Sequence, residues 1–256
     1  GNKKLKIYNL AMGFVSQFSI TSPNSGGMRD VEVDAVGDIY IGDTNNVRKF
    51  DQSGNLLKVF GTGNSGVAPG DLYPVTAIGV STSTGRLYVA DDSPTAEINI
   101  FNSDGTHRGK FGGFGAGPGQ FGSAVYSIAI DPAGNIWVAD PANVVPKIQK
   151  FDPDGVFISE FTNGDLFVGP VAISFDSFGN MYVLDGSMEL YEFDTNLTII
   201  RSLIATSAEF IAADDSGNVF YLNNSQYLKQ IVRAYNFTTI GNSVTTASAG
   251  RFGLDP

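Results

Sequence analysis

Residues 131–155 read DPAGNIWVADPANVVPKIQKFDPDG. Ile136 to Ala139 and Ile148 to Phe151 are short runs rich in β-branched and aromatic residues. Each is bounded by residues that punctuate a chain: Asp131-Pro132-Ala133-Gly134 before the first, Asp152-Pro153-Asp154-Gly155 after the second. Runs this short, cut by Gly and Pro, predict strands joined by tight turns rather than a helix. The stretch also holds Asp131, Asp140, Asp152 and Asp154. Either these carboxylates form an acidic site or they hold the chain in shape.

The same pattern recurs along the chain, which decides between the two. VEVDAVGDIYIGDTNNVRKFDQSG begins at Val31, and AIGVSTSTGRLYVADDSPTAEINIFNSDG begins at Ala77. A third copy begins at Ile128, a fourth at Val171 and a degraded fifth at Ile211. The turn glycines Gly37, Gly85, Gly134, Gly179 and Gly217 recur every 40 to 50 residues or so, the period of propeller blades. Each copy reads as four strands. The second ends on Asp43, Asp91, Asp140 or Asp185, and the third on Phe50-Asp51, Phe101-Asn102, Phe151-Asp152, Phe193-Asp194 or Tyr235-Asn236. A fourth strand ends on Phe60, Phe111 or Phe161.

The fold expected is therefore all-β, a β-propeller of six blades of four-stranded antiparallel sheets with an incomplete or jointly closed terminal blade. One domain over 1–256 contains a half-blade at 1–20, blades near 28–61, 75–112, 126–162, 170–204 and 209–247, and a tail at 248–256. The half-blade, Lys6 to Phe18, matches only strands three and four of a repeat, with Tyr8-Asn9 in the place of Phe-Asp. Gly250-Arg251-Phe252 matches Gly119-Gln120-Phe121, the connector that precedes a first strand. Two inner strands of the sixth blade are then unassigned. They come from further polypeptide, from a neighbouring molecule by strand addition, or from the tail after Asn236 folding back.

DPAGNIWVAD with IQKFDPDG, and the connectors GAGPGQFG (Gly115 to Gly122) and GVAPGDLYP (Gly66 to Pro74), resemble the NHL-repeat family of β-propellers. The resemblance implies the propeller fold over most of the chain, but little about activity, because one fold hosts many functions. It implies two enzymatic possibilities. Amidating lyases with such blades hold zinc with several histidines, and His107 alone cannot supply that site. Calcium lactonases of similar architecture use Asp, Asn and Glu at the central channel; no acidic cluster that breaks the repeat stands out in this sequence.

Composition narrows the rest. Hydrophobic residues make up 42% and charged residues 16%, enough to bury a core. The net charge of −10 repels phosphate backbones, so no nucleic-acid partner is expected. No apolar run is long enough for a membrane-spanning helix. Without cysteine there is no disulfide, thiol nucleophile or thiolate metal site. Few Lys and Glu among many Ser, Thr, Asn and Gly point to an extracellular or cell-surface setting.

Residues that recur in every copy are read as shape requirements: the strand-two aspartates, and the aromatic pairs Tyr40/Phe50, Tyr88/Phe101, Trp137/Phe151 and Tyr182/Phe193. Recognition is sought where the copies differ, in loops carried by the rigid scaffold. The binding residues expected there are Asp92, Phe114, Pro141, Asn143, Val144, Val145 and Leu166. No catalytic residue is assigned. The function expected is a non-enzymatic binding or assembly scaffold. It would recognise a protein, another macromolecule or a further copy of itself through the loop-rich face or an open blade edge. The alternative is a calcium-dependent hydrolase or lyase with an acidic central channel; otherwise no cofactor is expected.

Overall fold

The computed structural model of the chain describes residues 3–8, 14–20, 28–122, 125–141, 146–162, 167–205, 208–223 and 228–231. They form strands only. None of their elements is a helix long and apolar enough to cross a membrane.

An N-terminal hairpin pairs β1 (Lys3–Tyr8) with β2 (Phe14–Ile20). Four four-stranded antiparallel sheets follow. The first is β3 (Asp30–Val33), β4 (Ile39–Gly42), β5 (Val47–Phe50) and β6 (Leu56–Phe60). The second is β7 (Val75–Val80), β8 (Leu87–Asp91), β9 (Glu97–Phe101) and β10 (His107–Gly112). The third is β11 (Ser127–Ile130), β12 (Ile136–Asp140), β13 (Lys147–Phe151) and β14 (Phe157–Phe161). The fourth is β15 (Pro170–Phe175), β16 (Met181–Asp185), β17 (Glu189–Phe193) and β18 (Ile199–Ile204). A last sheet pairs β19 (Ala208–Ala213), β20 (Val219–Asn223) and β21 (Leu228–Ile231). Strands follow chain order within each sheet, and each first strand packs beside the first strand of the next sheet. This is an all-β propeller with four complete blades.

The turns explain why the pattern folds this way. Asp34, Asp131, Asp176 and Asp214 each follow a first strand and accept the N–H four residues on, at 2.8–2.9 Å. Asp51, Asp152 and Asp194 do the same after a third strand, each at 2.8 Å. A short carboxylate thus replaces solvent for turn amides that no ladder reaches.

Sheets meet face to face through two sets of aromatic contacts. At the outside, the phenylalanine ending one blade's fourth strand meets the one ending the next blade's third. Phe60–Phe101, Phe111–Phe151 and Phe161–Phe193 have ring centroids 6.1, 4.8 and 5.2 Å apart. Phe18 on β2 meets Phe50 in the same way at 5.7 Å. The hairpin β1–β2 therefore occupies the outer half of a blade position before the first full blade. Its Leu5 and Ile7 pack on buried Ile39 and Ile41. Nearer the axis, the mid-strand aromatic of each second strand covers the first strand of the following blade. Tyr40 packs with Ile78 and Val80, Tyr88 with Ile128, Trp137 with Ile173, and Tyr182 with Ile211 and Ala213.

One sequence alignment needs correction. In the last sheet Val219 pairs with Ile231, as Ile39 pairs with Phe50 and Met181 with Phe193. Ile231, not Tyr235, holds the phenylalanine position. The loop before the third strand varies in length: Gly42 pairs with Val47, but its counterpart Ala139 pairs with Ile148. Where Phe is replaced, spacing alone cannot fix the register.

A glycine pair tests the outer packing. Gly63 and Gly155 both have positive φ, +82° and +84°. A Cβ at Gly63 meets nothing within 4 Å, whereas one at Gly155 would lie 2.5 Å from the Phe111 ring. Gly63→Ala is expected to cost about 1–2 kcal/mol from backbone conformation alone. Gly155→Ala should cost clearly more, because Phe111 must also leave Phe151. Denaturant midpoints of the two variants check the difference.

Candidate functional site

The strand-two aspartates are fastened into the scaffold. Asp91 accepts the N–H groups of Tyr73 (3.0 Å) and Ser93 (3.1 Å), and Asp140 that of Gly122 (3.0 Å). Asp185 accepts from Gly169 (2.9 Å) and Ser187 (2.9 Å). Asp43 accepts from Thr44 and from the buried Arg48 guanidinium, both at 2.8 Å. In the second, third and fourth blades the carboxylate ties the incoming connector to the strand-two end. Burial raises the Asp91 carboxyl above its ordinary range, against the two amide bonds. Asp154 differs from its neighbours: exposed, it takes Arg86 and Arg108 of the preceding blade at 2.9 Å each and clamps two blades together.

Of the residues expected to bind, the described ones, Asp92, Phe114 and Pro141, lie in segments that emerge at one end of their sheets. In an antiparallel meander, the loops between strands two and three and the connectors between sheets emerge at the same end. Phe114 is 69% exposed on one connector, and Asp92 is exposed at the end of a second strand. Pro141 is half-buried and packs near Gly169. These three share no hydrogen bond or ion pair with one another among the described residues. Asn143, Val144, Val145 and Leu166 lie outside the described residues.

Nearby, His107 and Lys110 of β10 line a cavity of about 60 Å³ with Asp71, Asp91, Glu97 and Asn99. His107 is held by Asn99 Oδ1 at 3.0 Å and stands edge-on to Phe101 at 5.2 Å. Burial, and then the charge of Lys110, push its pKa down. Lys110 is itself paired with Glu97 at 2.6 Å. The histidine's described contacts are those of a structural residue.

Two features emerge only when first strands are compared by register. Opposite the mid-strand aromatic stand Glu32, Gly79, Ala129, Ser174 and Ala212. Two residues earlier stand Asp30, Ala77, Ser127, Ala172 and Phe210. Small residues suit this face because the next first strand lies close: a Cβ at Gly79 would fall 2.6 Å from Ile128. Only β3 places two carboxylates here, a break in the repeat that sequence reading missed. Asp30 accepts the Ile78 N–H across the blade boundary at 2.8 Å, as Ser127 accepts that of Ile173 at 3.0 Å. Burial raises Asp30 to about 6, against its amide bonds from Ile78 and Val31. Burial first, and then the neighbouring Asp30 charge, push Glu32 to about 8.

The second feature is an uncovered slot. Val31 and Val33 on the opposite face of β3 are 49% and 53% exposed. The counterparts of Val31, Ile78, Ile128 and Ile173, are 0%, 3% and 5% exposed; of those of Val33, Val80 is 6% exposed and Ile130 and Phe175 are half-buried. At the other end of the series, Phe210 on β19 is 49% exposed while its counterparts Ala77 and Ala172 are 0% and 7%. Ala212 is exposed where Ala129 is buried, and Phe220 is less buried than Tyr40, Tyr88, Trp137 and Tyr182. Both uncovered faces are the ones a blade between β19 and β3 would cover. β1–β2 covers only the outer part of that junction.

Glu32 gives a pH test. Its folded pKa lies above the unfolded value, so the native state holds its proton more tightly between roughly pH 4.5 and 8. The contribution is fully present below that window and is lost as pH rises through it. Glu32→Gln should flatten the fall in melting temperature from pH 5 to 8.5. Asp140→Ala should instead destabilise by about 1–3 kcal/mol at every pH in that range, because it strands the Gly122 amide.

Comparison with known proteins agrees with this architecture. A family model described as SMP-30/Gluconolactonase/LRE-like region matches residues 21–184. NHL repeat-containing protein 3 of Homo sapiens is 29% identical over 171 residues, which are 61% of this chain and 45% of that protein. The Mus musculus protein of the same name is 29% identical over 153 residues, 54% and 40% of the two chains. The chain thus spans less than half the length of these curated relatives. A protein of unknown function from Bacteroides caccae superimposes with a TM-score of 0.62 at 15% identity, covering 90% of this chain and 86% of that one. A chain of the mitotic checkpoint complex gives 0.61 at 14%, covering 91% and 69%. The resemblance to NHL-repeat propellers is borne out, and with the family model matched over most of its length, this chain belongs to the SMP-30/gluconolactonase/LRE-like family.

Proposed function

We propose that the protein is a non-enzymatic binding or assembly module built as a six-bladed propeller, which recognises a protein through an open blade edge. The observation that supports this most is the exposure of Val31 at a position that the second, third and fourth blades bury, with Val33 exposed where they bury or half-bury. Apolar residues on the uncovered face of a first strand favour a macromolecular partner over a small ligand. Proteins of similar fold include a component of the mitotic checkpoint complex, a protein assembly by its name. The proposal includes an extracellular or cell-surface setting, supported by composition alone.

A hydrolase reading has its own support. The family description names a gluconolactonase, and Asp30 with Glu32 gives an unrepeated carboxyl pair on a first strand. Calcium takes six to eight oxygen ligands. Asp30 and Glu32 alone would supply only part of that donor set, and among the described residues no three His, Asp or Glu are placed to hold a metal ion together.

The two readings separate experimentally. A photoreactive residue at Val31 should cross-link a discrete polypeptide in extracts of the source organism. The same residue at Leu57, equally exposed on the outer strand β6, should not. Calcium should leave the melting temperature unchanged. A rise of several degrees that Glu32→Gln abolishes, together with lactone hydrolysis, would favour the enzyme instead.

A further inference from the structure

We infer that the slot between β19 and β3 receives a two-stranded β-hairpin from polypeptide outside these 256 residues, patterned like a first and second strand of the chain's own repeat. This rests on the open-edge reading and goes further by stating the occupant's chemistry.

The completed junctions define what is missing. Each first strand is covered by the second strand of the preceding blade, with a large aromatic at mid-strand. Val31 and Val33 therefore call for a Tyr or Trp at the position of Tyr40. In three blades the polar tip of that aromatic bonds an aspartate six residues earlier. Tyr40 reaches Asp34 at 3.3 Å, Trp137 reaches Asp131 at 2.9 Å, and Tyr182 reaches Asp176 at 3.1 Å. The occupant's turn should carry that aspartate. Its first strand should alternate apolar residues against Phe210 and Ala212, as Ile173 lies against the third blade. Its second strand should pair with the edge of β1 that faces away from β2, since second strands pair with third strands in every complete blade. Lys4 and Lys6, exposed on β1, discourage pairing with arbitrary strands.

The chain's own segments do not match this pattern. Its described first-and-second-strand hairpins are already built into their sheets, and in a second copy they would have to leave a folded blade. Residues 232–256 hold one aspartate, Asp255, with no aromatic after it.

The cysteine-free sequence allows a direct test, because Val31→Cys in the full chain introduces a single thiol. A thiol reagent should label it rapidly, at a rate independent of protein concentration. A synthetic peptide of residues 127–140, SIAIDPAGNIWVAD, should slow labelling about tenfold at about ten times its Kd. The peptide with Trp137→Ala should bind about a hundredfold more weakly. Rapid labelling that neither peptide slows would overturn the hairpin while leaving the open edge intact. A thiol protected from the start would overturn the hairpin, and protection that persists at every dilution would overturn the open edge as well. Protection that weakens on dilution, with a dimer by light scattering, would assign the slot to a second copy; protection independent of concentration would assign it to the chain's own residues.

Discussion

The structure depends on one contact between neighbouring blades: a large aromatic on the second strand of one sheet, laid over the β-branched residues of the next sheet's first strand. A four-stranded antiparallel sheet has two faces, and in this arrangement both are covered by neighbours. Tyr40, Tyr88, Trp137 and Tyr182 are all at most 5% exposed for that reason. The same dependence explains the slot. Among the described residues no second-strand aromatic lies over Val31 and Val33, and these stand exposed, as does Phe210 on the last sheet. The outer half of the junction is still made, by Phe18 on Phe50.

The acidic residues divide along similar lines. Most serve backbone amides that the ladders cannot reach, in turns and where connectors enter a blade. A carboxylate engaged by two amides is a poor free ligand, however many aspartates the sequence displays. Asp30 also takes two backbone amides, but it and Glu32 stand where neighbouring strands approach closely and other blades carry small or uncharged side chains. Crowding there favours their neutral forms, which is why both titrate above the usual carboxylate range.

The repeat was legible because each blade poses the same local problem. Turn aspartates, positive-φ glycines and alternating strands are short-range requirements, so DPAGNIWVAD could be read without knowing its neighbours. The Tyr8-Asn9 match was legible for the same reason, and Tyr8 pairs with Phe14 as Phe50 pairs with Leu56. Tyr235 misled because loop length before the third strand varies, so register there depends on pairing rather than on counting. The carboxyl pair escaped notice because DVEV looks like any first strand until it is aligned by its partner residues. Val31 looks equally ordinary, since its counterparts Ile78, Ile128, Ile173 and Ile211 are also β-branched.

The sequence alone determined the strand pattern and the turn chemistry of a repeated four-stranded unit. Both rest on interactions within a few dozen residues. The tertiary structure decided which identical-looking positions are covered and which are not. Exposure of a β-branched residue depends on whether a neighbouring sheet lies against it, and that neighbour is remote in sequence. It also decided that the Asp30–Glu32 pair faces another first strand, a placement set by how blades stack rather than by local pattern.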